Sequence, residues 1–162
     1  MTLLSNFITL CVFDVDGVFN NGQFGYSDQG KIFKLFGAHD HDAIKLLISN
    51  DVVVKSITAD SKGYKINSRR MSDMNIPLEL VPEVKRQDWF KSIGSLEKTF
   101  YMGDGIFDSQ CMELVGYSCA PLNACKQAKE SASYVTNKTG GDGAVLEAVC
   151  YLFDMFKIPI LK

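Results

Sequence analysis

Residues 13–22 read FDVDGVFNNG and follow the apolar run Phe7-Ile8-Thr9-Leu10-Cys11-Val12. A continuous apolar run of this length has the pattern of a strand covered on both faces, as in parallel sheets. Two aspartates, Asp14 and Asp16, stand at its carboxyl end. Like charges at the edge of a core need a partner that shares their charge.

The pattern recurs downstream. Candidate strands fall at 7–13, 52–57, 78–81, 98–102, 117–119 and 133–135, with candidate helices at 40–50, 61–73, 85–93, 107–115, 124–131 and 143–156. Such alternation predicts an α/β fold, a doubly wound and mostly parallel sheet, in one domain over 1–162. Residues 19–36 break the alternation with two aromatic-rich extended stretches around Ser27-Asp28-Gln29-Gly30. They predict a β-hairpin flap after the first strand, with a turn of several residues. Phe24, Tyr26, Phe33 and Phe36 then need cover, from the domain's own core or from another copy.

Composition narrows the function classes. The 162 residues are 46% hydrophobic and 22% charged with net charge −2, so no footprint for nucleic acid or an anionic membrane is present. Arg69-Arg70 reads as a solvated helix face. The five cysteines are odd in number and form no CxxC, which argues against a disulfide framework or zinc site and predicts reduced thiols in the cytoplasm. The N-terminal apolar run is too short for a signal peptide or membrane span.

The polar residues carry the chemistry. In open α/β sheets, ligands bind beyond the carboxyl ends of the strands. Asp14 and Asp16 follow the first strand, Thr58 the second, Lys85 the third, and Asp104 the fourth in FYMGDGIFD. Each alone reads as a turn, cap or surface residue; together they converge on one crevice. Asp14, Asp16 and Asp104 offer hard oxygens suited to Mg²⁺. Thr58, Lys85 and backbone N–H groups at Asp16–Val18, around Gly17, would hold phosphate. Asp14 would attack phosphorus, and Asp16 would protonate the leaving oxygen and then deprotonate water.

These residues resemble the four motifs of the haloacid dehalogenase superfamily of phosphohydrolases: FDVDGVF, SITAD (Thr58), VPEVKRQ (Lys85) and GDGIFD (Asp104, Asp108). The resemblance implies a Rossmann-like core with Asp14 as nucleophile and Asp16 as acid/base. It also implies metal on Asp14, Asp104 and the Asp16 carbonyl, with Asp108 in support. The gaps from Asp14 to Thr58 and from Thr58 to Lys85 leave no room for a cap domain. With FKLFGAHD and TGGDGAVLEAV, the chain is similar to the capless branch that acts on octulosonate 8-phosphate or nonulosonate 9-phosphate sugars. That branch implies a homotetramer in which a neighbouring subunit closes the active site.

Four positions depart from the pattern: His39 and Asp60 stand where arginine is usual in the octulosonate type, Asp142 lies between the late glycines, and Gly105 replaces an aspartate. His39, Asp40, Asp60 and Arg70 are the expected substrate contacts, Arg70 across a subunit interface. The alternatives are a catalytically degenerate binding or oligomerisation module and a phospho-acceptor receiver domain. The complete catalytic set argues against the first, and the early DxDG against the second.

Overall fold

The structure, a computed structural model, describes residues 3–160; the ends of the expected 1–162 domain lie outside them. Six strands form one parallel sheet: β1 (Leu10–Asp14), β4 (Val53–Thr58), β5 (Leu78–Leu80), β6 (Thr99–Met102), β7 (Tyr117–Ala120) and β8 (Tyr134–Val135), in the order β5-β4-β1-β6-β7-β8. The chain leaves β1 toward β4 on one side and later returns to its other side as β6. That reversal opens a crevice at the carboxyl ends of β1, β4 and β6.

Both faces of the sheet are covered, as the unbroken apolar strands require. Cys11 and Phe13 point to one face, into a core with Ile44 and Leu47 of α1 (His39–Ile48), Met71 of α2 (Tyr64–Asp73) and Val145, Val149 and Leu152 of α6 (Ala144–Met155). Val12 points to the other, among Ile57, Tyr101, Phe90 of α3 (Arg86–Ser92), Cys111 of α4 (Ile106–Met112) and Ala128 of α5 (Lys126–Ser131). This period-two alternation fixes the register of β1 and hence where Asp14 emerges. The strand starts at Leu10 rather than Phe7. A 3₁₀ turn over Leu4–Asn6 precedes it, the Ile8 N–H donates to the Leu4 carbonyl, and Phe7 stacks on Phe156 at 4.3 Å.

The hairpin is β2 (Gly25–Ser27) against β3 (Gly30–Phe33), antiparallel. Its turn is two residues, Asp28-Gln29, tighter than expected, because Gly30 takes φ +113°. Phe36 packs on the core, whereas Tyr26, Ile32, Phe33 and Leu35 are exposed. No other insertion forms a separate cap among the described residues, and no helix there is long and apolar enough to cross a membrane.

Where the hairpin returns to α1, Asp40 is fully buried and neither carboxylate oxygen has a hydrogen-bond partner. Arg70 of α2 donates from Nη2 to the Gly37 carbonyl at 2.7 Å, and its Nε is also unpartnered. Burial pushes the Asp40 carboxyl up to about 7 against the pull of the Arg70 charge. In the unfolded chain the carboxyl ionises near its ordinary value of about 4. Its contribution is therefore intact below about pH 4 and is lost as the pH rises through 7, with a slope of at most about 1.4 kcal/mol per pH unit. Thermal melts at pH 5 and pH 8 should show a smaller loss for Asp40→Asn than for wild type. Equal losses would contradict this assignment.

Candidate active site

Asp14 ends β1, and the chain turns immediately at Gly17, whose φ is +87°. A side chain there would run into the Asp104 carboxylate, since a Cβ would lie 2.0 Å from Asp104 Oδ2. Gly17 thus lets the first loop close over the residue that follows β6. A pocket of about 530 Å³ opens at this point, with Asp14, Asp16, Thr58, Asp60, Arg86 and Asp104 on its wall. Phe24 and Lys31 from the hairpin and Ile106 and Phe107 from α4 form its rim.

Beside Lys31, the pocket wall carries Arg86, one residue beyond the expected Lys85. Lys85 closes a 3₁₀ turn (Glu83–Lys85) and faces solvent, while Arg86 begins α3 on the same face as the buried Phe90. Its fork grips the nucleophile candidate: Nη1 donates to Asp14 Oδ2 at 2.9 Å and Nη2 to Asp14 Oδ1 at 3.0 Å. Nη1 also donates to Asp108 Oδ1. Asp108 is fully engaged, because Tyr101 donates to Oδ1 at 2.7 Å and the Asp104 and Gly105 N–H groups donate to Oδ2 at 3.0 and 2.8 Å. It holds the β6–α4 turn and Arg86 together and has no lone pair left over.

Asp16 is held from three directions. Lys34 donates to both of its oxygens at 2.7 and 2.8 Å, Asn20 to Oδ1 at 2.8 Å and Asn67 of α2 to Oδ2 at 3.1 Å. Asp60 gathers the two hairpin lysines, Lys31 and Lys34, and accepts from the Gly63 N–H at 2.9 Å. Burial alone would raise its carboxyl, but those lysines and the N–H hold it down at about 2. Thr58 Oγ1 already accepts from the Asp60 N–H and from Asn67, at 3.1 and 3.2 Å. Its own proton is therefore left to donate into the pocket.

The remaining expected contacts lie elsewhere. The Gly17 N–H donates to Asn20 at 3.1 Å and the Val18 N–H to Val15 at 3.3 Å, so of the Asp16–Val18 amides the Asp16 N–H remains for phosphate. His39 is exposed at the start of α1, Asp40 is buried away from the pocket wall, and Arg70 serves Gly37 within its own chain. Lys31, Lys34, Asn20, Asn67 and Arg86 are the site residues that the motif positions do not include. The helical spacing of Arg86 and Phe90 and two lysines set among hairpin aromatics were the available signals.

The charge balance leaves an opening for a cation. Burial, then the neighbouring carboxylates, push Asp104 up to about 8. Burial pushes Asp14 up to about 7, with Asp108 adding to this and Arg86 opposing it. Oxygens of Asp14, Asp104 and Asp108 lie within 4.8 Å of one another. Asp108 is saturated, but among the described residues the Asp104 carboxylate accepts no side-chain or backbone hydrogen bond, the Asp16 carbonyl accepts none, and Asp14 Oδ2 accepts one. Oxygens of three residues, Asp14, Asp16 and Asp104, thus keep lone pairs to spare beside unrelieved negative charge, which fits a divalent ion.

The profile of the haloacid dehalogenase-like hydrolase family matches residues 91–149. A 3-deoxy-D-manno-octulosonate 8-phosphate phosphatase of Yersinia pestis is 33% identical over 150 residues, 90% of this chain and 79% of the relative. The cobalt-bound deoxy-D-mannose-octulosonate 8-phosphate phosphatase of Haemophilus influenzae superposes with a TM-score of 0.79 at 29% identity, covering 93% of this chain and 90% of that one. The Moraxella catarrhalis 3-deoxy-D-manno-octulosonate 8-phosphate phosphatase, in complex with magnesium, phosphate and KDO, gives 0.77 at 25% identity, covering 93% and 88%. At this identity and coverage, the chain belongs to the haloacid dehalogenase-like hydrolases, as a phosphoric monoester hydrolase.

Proposed function

We propose that the chain is a Mg²⁺-dependent phosphatase of a sugar-acid phosphate, octulosonate 8-phosphate or a nonulosonate 9-phosphate, working as a single domain through an aspartyl phosphate. The observation that carries this reading is Asp14, gripped by Arg86 at the pocket floor with a lone pair of Oδ2 still open. The names of the relatives favour the octulosonate.

An oxygen of the Asp14 carboxylate attacks phosphorus, the bond from phosphorus to the sugar oxygen breaks, and that oxygen takes a proton from Asp16, which enters the step protonated with one of its four donors turned away. Water then attacks the phosphoryl group and gives a proton to Asp16 as the Asp14–phosphorus bond breaks. Thr58 Oγ and the Asp16 N–H donate to phosphate oxygens, and Arg86 keeps the Asp14 carboxylate aimed and its charge compensated. Mg²⁺, when bound by Asp14, Asp104 and the Asp16 carbonyl, supplies positive charge that lets one anion approach another.

The exposed hairpin residues Tyr26, Ile32, Phe33 and Leu35 support association between hairpins into a homotetramer, where a neighbouring subunit would close the pocket. Five unpaired cysteines, three of them buried, fit a cytoplasmic setting.

Purified protein should release phosphate from octulosonate 8-phosphate with Mg²⁺ and not with EDTA. Asp14→Asn should lower kcat by about 10⁴-fold or more. No release across octulosonate and nonulosonate phosphates, or wild-type kcat in that variant, would refute the reading. Arg86→Ala should cost on the order of 10²-fold in kcat, whereas Lys85→Ala should stay within about twofold of wild type. The reverse ranking would return the phosphate-site cation to Lys85.

A further inference from the structure

Lys34 follows β3, and its side chain has 0% exposure, so an ammonium is buried at the seam between hairpin and sheet. Burying it costs several kcal/mol unless its contacts are close and complete. They are: Asp16 Oδ1 and Oδ2 at 2.7 and 2.8 Å, Asp60 Oδ2 at 2.7 Å, and Asn67 Oδ1 at 2.9 Å. The Phe24 ring lies over it, 4.8 Å from Nζ. Lys31, on β3 itself, pairs with Asp60 and lies over the same Phe24 ring at 3.8 Å but donates nothing to Asp16, so the two hairpin lysines differ in what they hold.

Asp16 lies two residues beyond β1, and within its own loop only Asn20 holds its carboxylate, donating to Oδ1 at 2.8 Å. Lys34 spans both oxygens from one side, while Asn67 donates to Oδ2 and to Thr58 from α2. A carboxylate that must meet a leaving oxygen gains rate from being held in that geometry before substrate arrives. We propose that Lys34 is a positioning residue for the acid/base Asp16, so that the hairpin contributes to proton transfer as well as to surface. The inference rests on the phosphatase reading and adds a role for the hairpin that this reading does not require.

The test uses the leaving group. A sugar oxygen needs a proton as it departs, whereas 4-nitrophenolate does not. In kcat/KM, which reports the first phosphoryl transfer, Lys34→Met should lose on the order of 10²-fold on octulosonate 8-phosphate and less than about tenfold on 4-nitrophenyl phosphate. Asp16→Asn should shift the ratio the same way, and adding Lys34→Met to it should shift the ratio no further. If Lys34→Met does not fold, Lys34→Gln is read identically, because its neutral amide ends one atom short of the ammonium and brings no charge to the two Asp16 oxygens. Equal losses on both substrates in a folded variant, or additive ratio changes in the double variant, would overturn the positioning role while leaving the phosphatase reading intact. A wild-type protein inert on both substrates would overturn both.

Discussion

Three carboxylates, Asp14, Asp104 and Asp108, meet where β1 and β6 lie side by side, and one buried guanidinium makes that arrangement tolerable. Arg86 spends two N–H groups on Asp14 and shares one with Asp108. Removing one partner of such a buried set costs about 3–5 kcal/mol, because the others are left as uncompensated charges. Arg86 relieves the site only in part. Asp104, pushed up to about 8, has no hydrogen-bond donor of its own among the described residues, and this residual demand for positive charge fits a divalent ion.

The second carboxylate group is arranged differently. Asp16 and Asp60 sit beyond β1 and β4 and receive their cations from the hairpin, through Lys31 and Lys34. The arginine that the octulosonate branch places two residues after the motif threonine is an aspartate here, and two lysines from another element converge on it. Positive charge returns to the same corner by a different route. Sequence distance from the motifs hid this, since the lysines lie more than a strand and a helix away from Thr58.

Much of the frame was legible because parallel strands buried on both faces give unbroken apolar runs and the helices between them give a longer period. All six strands and six helices fall where that reasoning places them, with β1 starting late because Phe7 packs on Phe156 instead of pairing. Asp14, Asp16, Thr58 and Asp104 share the pocket wall because each stands at the carboxyl end of a strand or within two residues of it, a position the sequence displays. Lys85 and Arg86 are both cations after β5, and only the helical phase set by Phe90 puts Arg86 on the pocket wall and Lys85 in solvent. Asn67 and Lys34 were not legible, since a polar residue on a helix face or an edge hairpin looks solvated until the tertiary fold covers it. His39 and Arg70 show the opposite case, residues singled out by position in a motif that the folded chain keeps away from the pocket wall.

In the proposed reaction Asp14 is the group that accepts the phosphoryl. Its most direct test is an acid quench of the enzyme during turnover of ³²P-labelled substrate, followed by peptide mapping. Label carried by the peptide containing Asp14, absent from those containing Asp60 and Asp104 and absent in Asp14→Asn, is the predicted result. Turnover with label on another carboxylate, or with no phosphorylated peptide at any quench time, would contradict it.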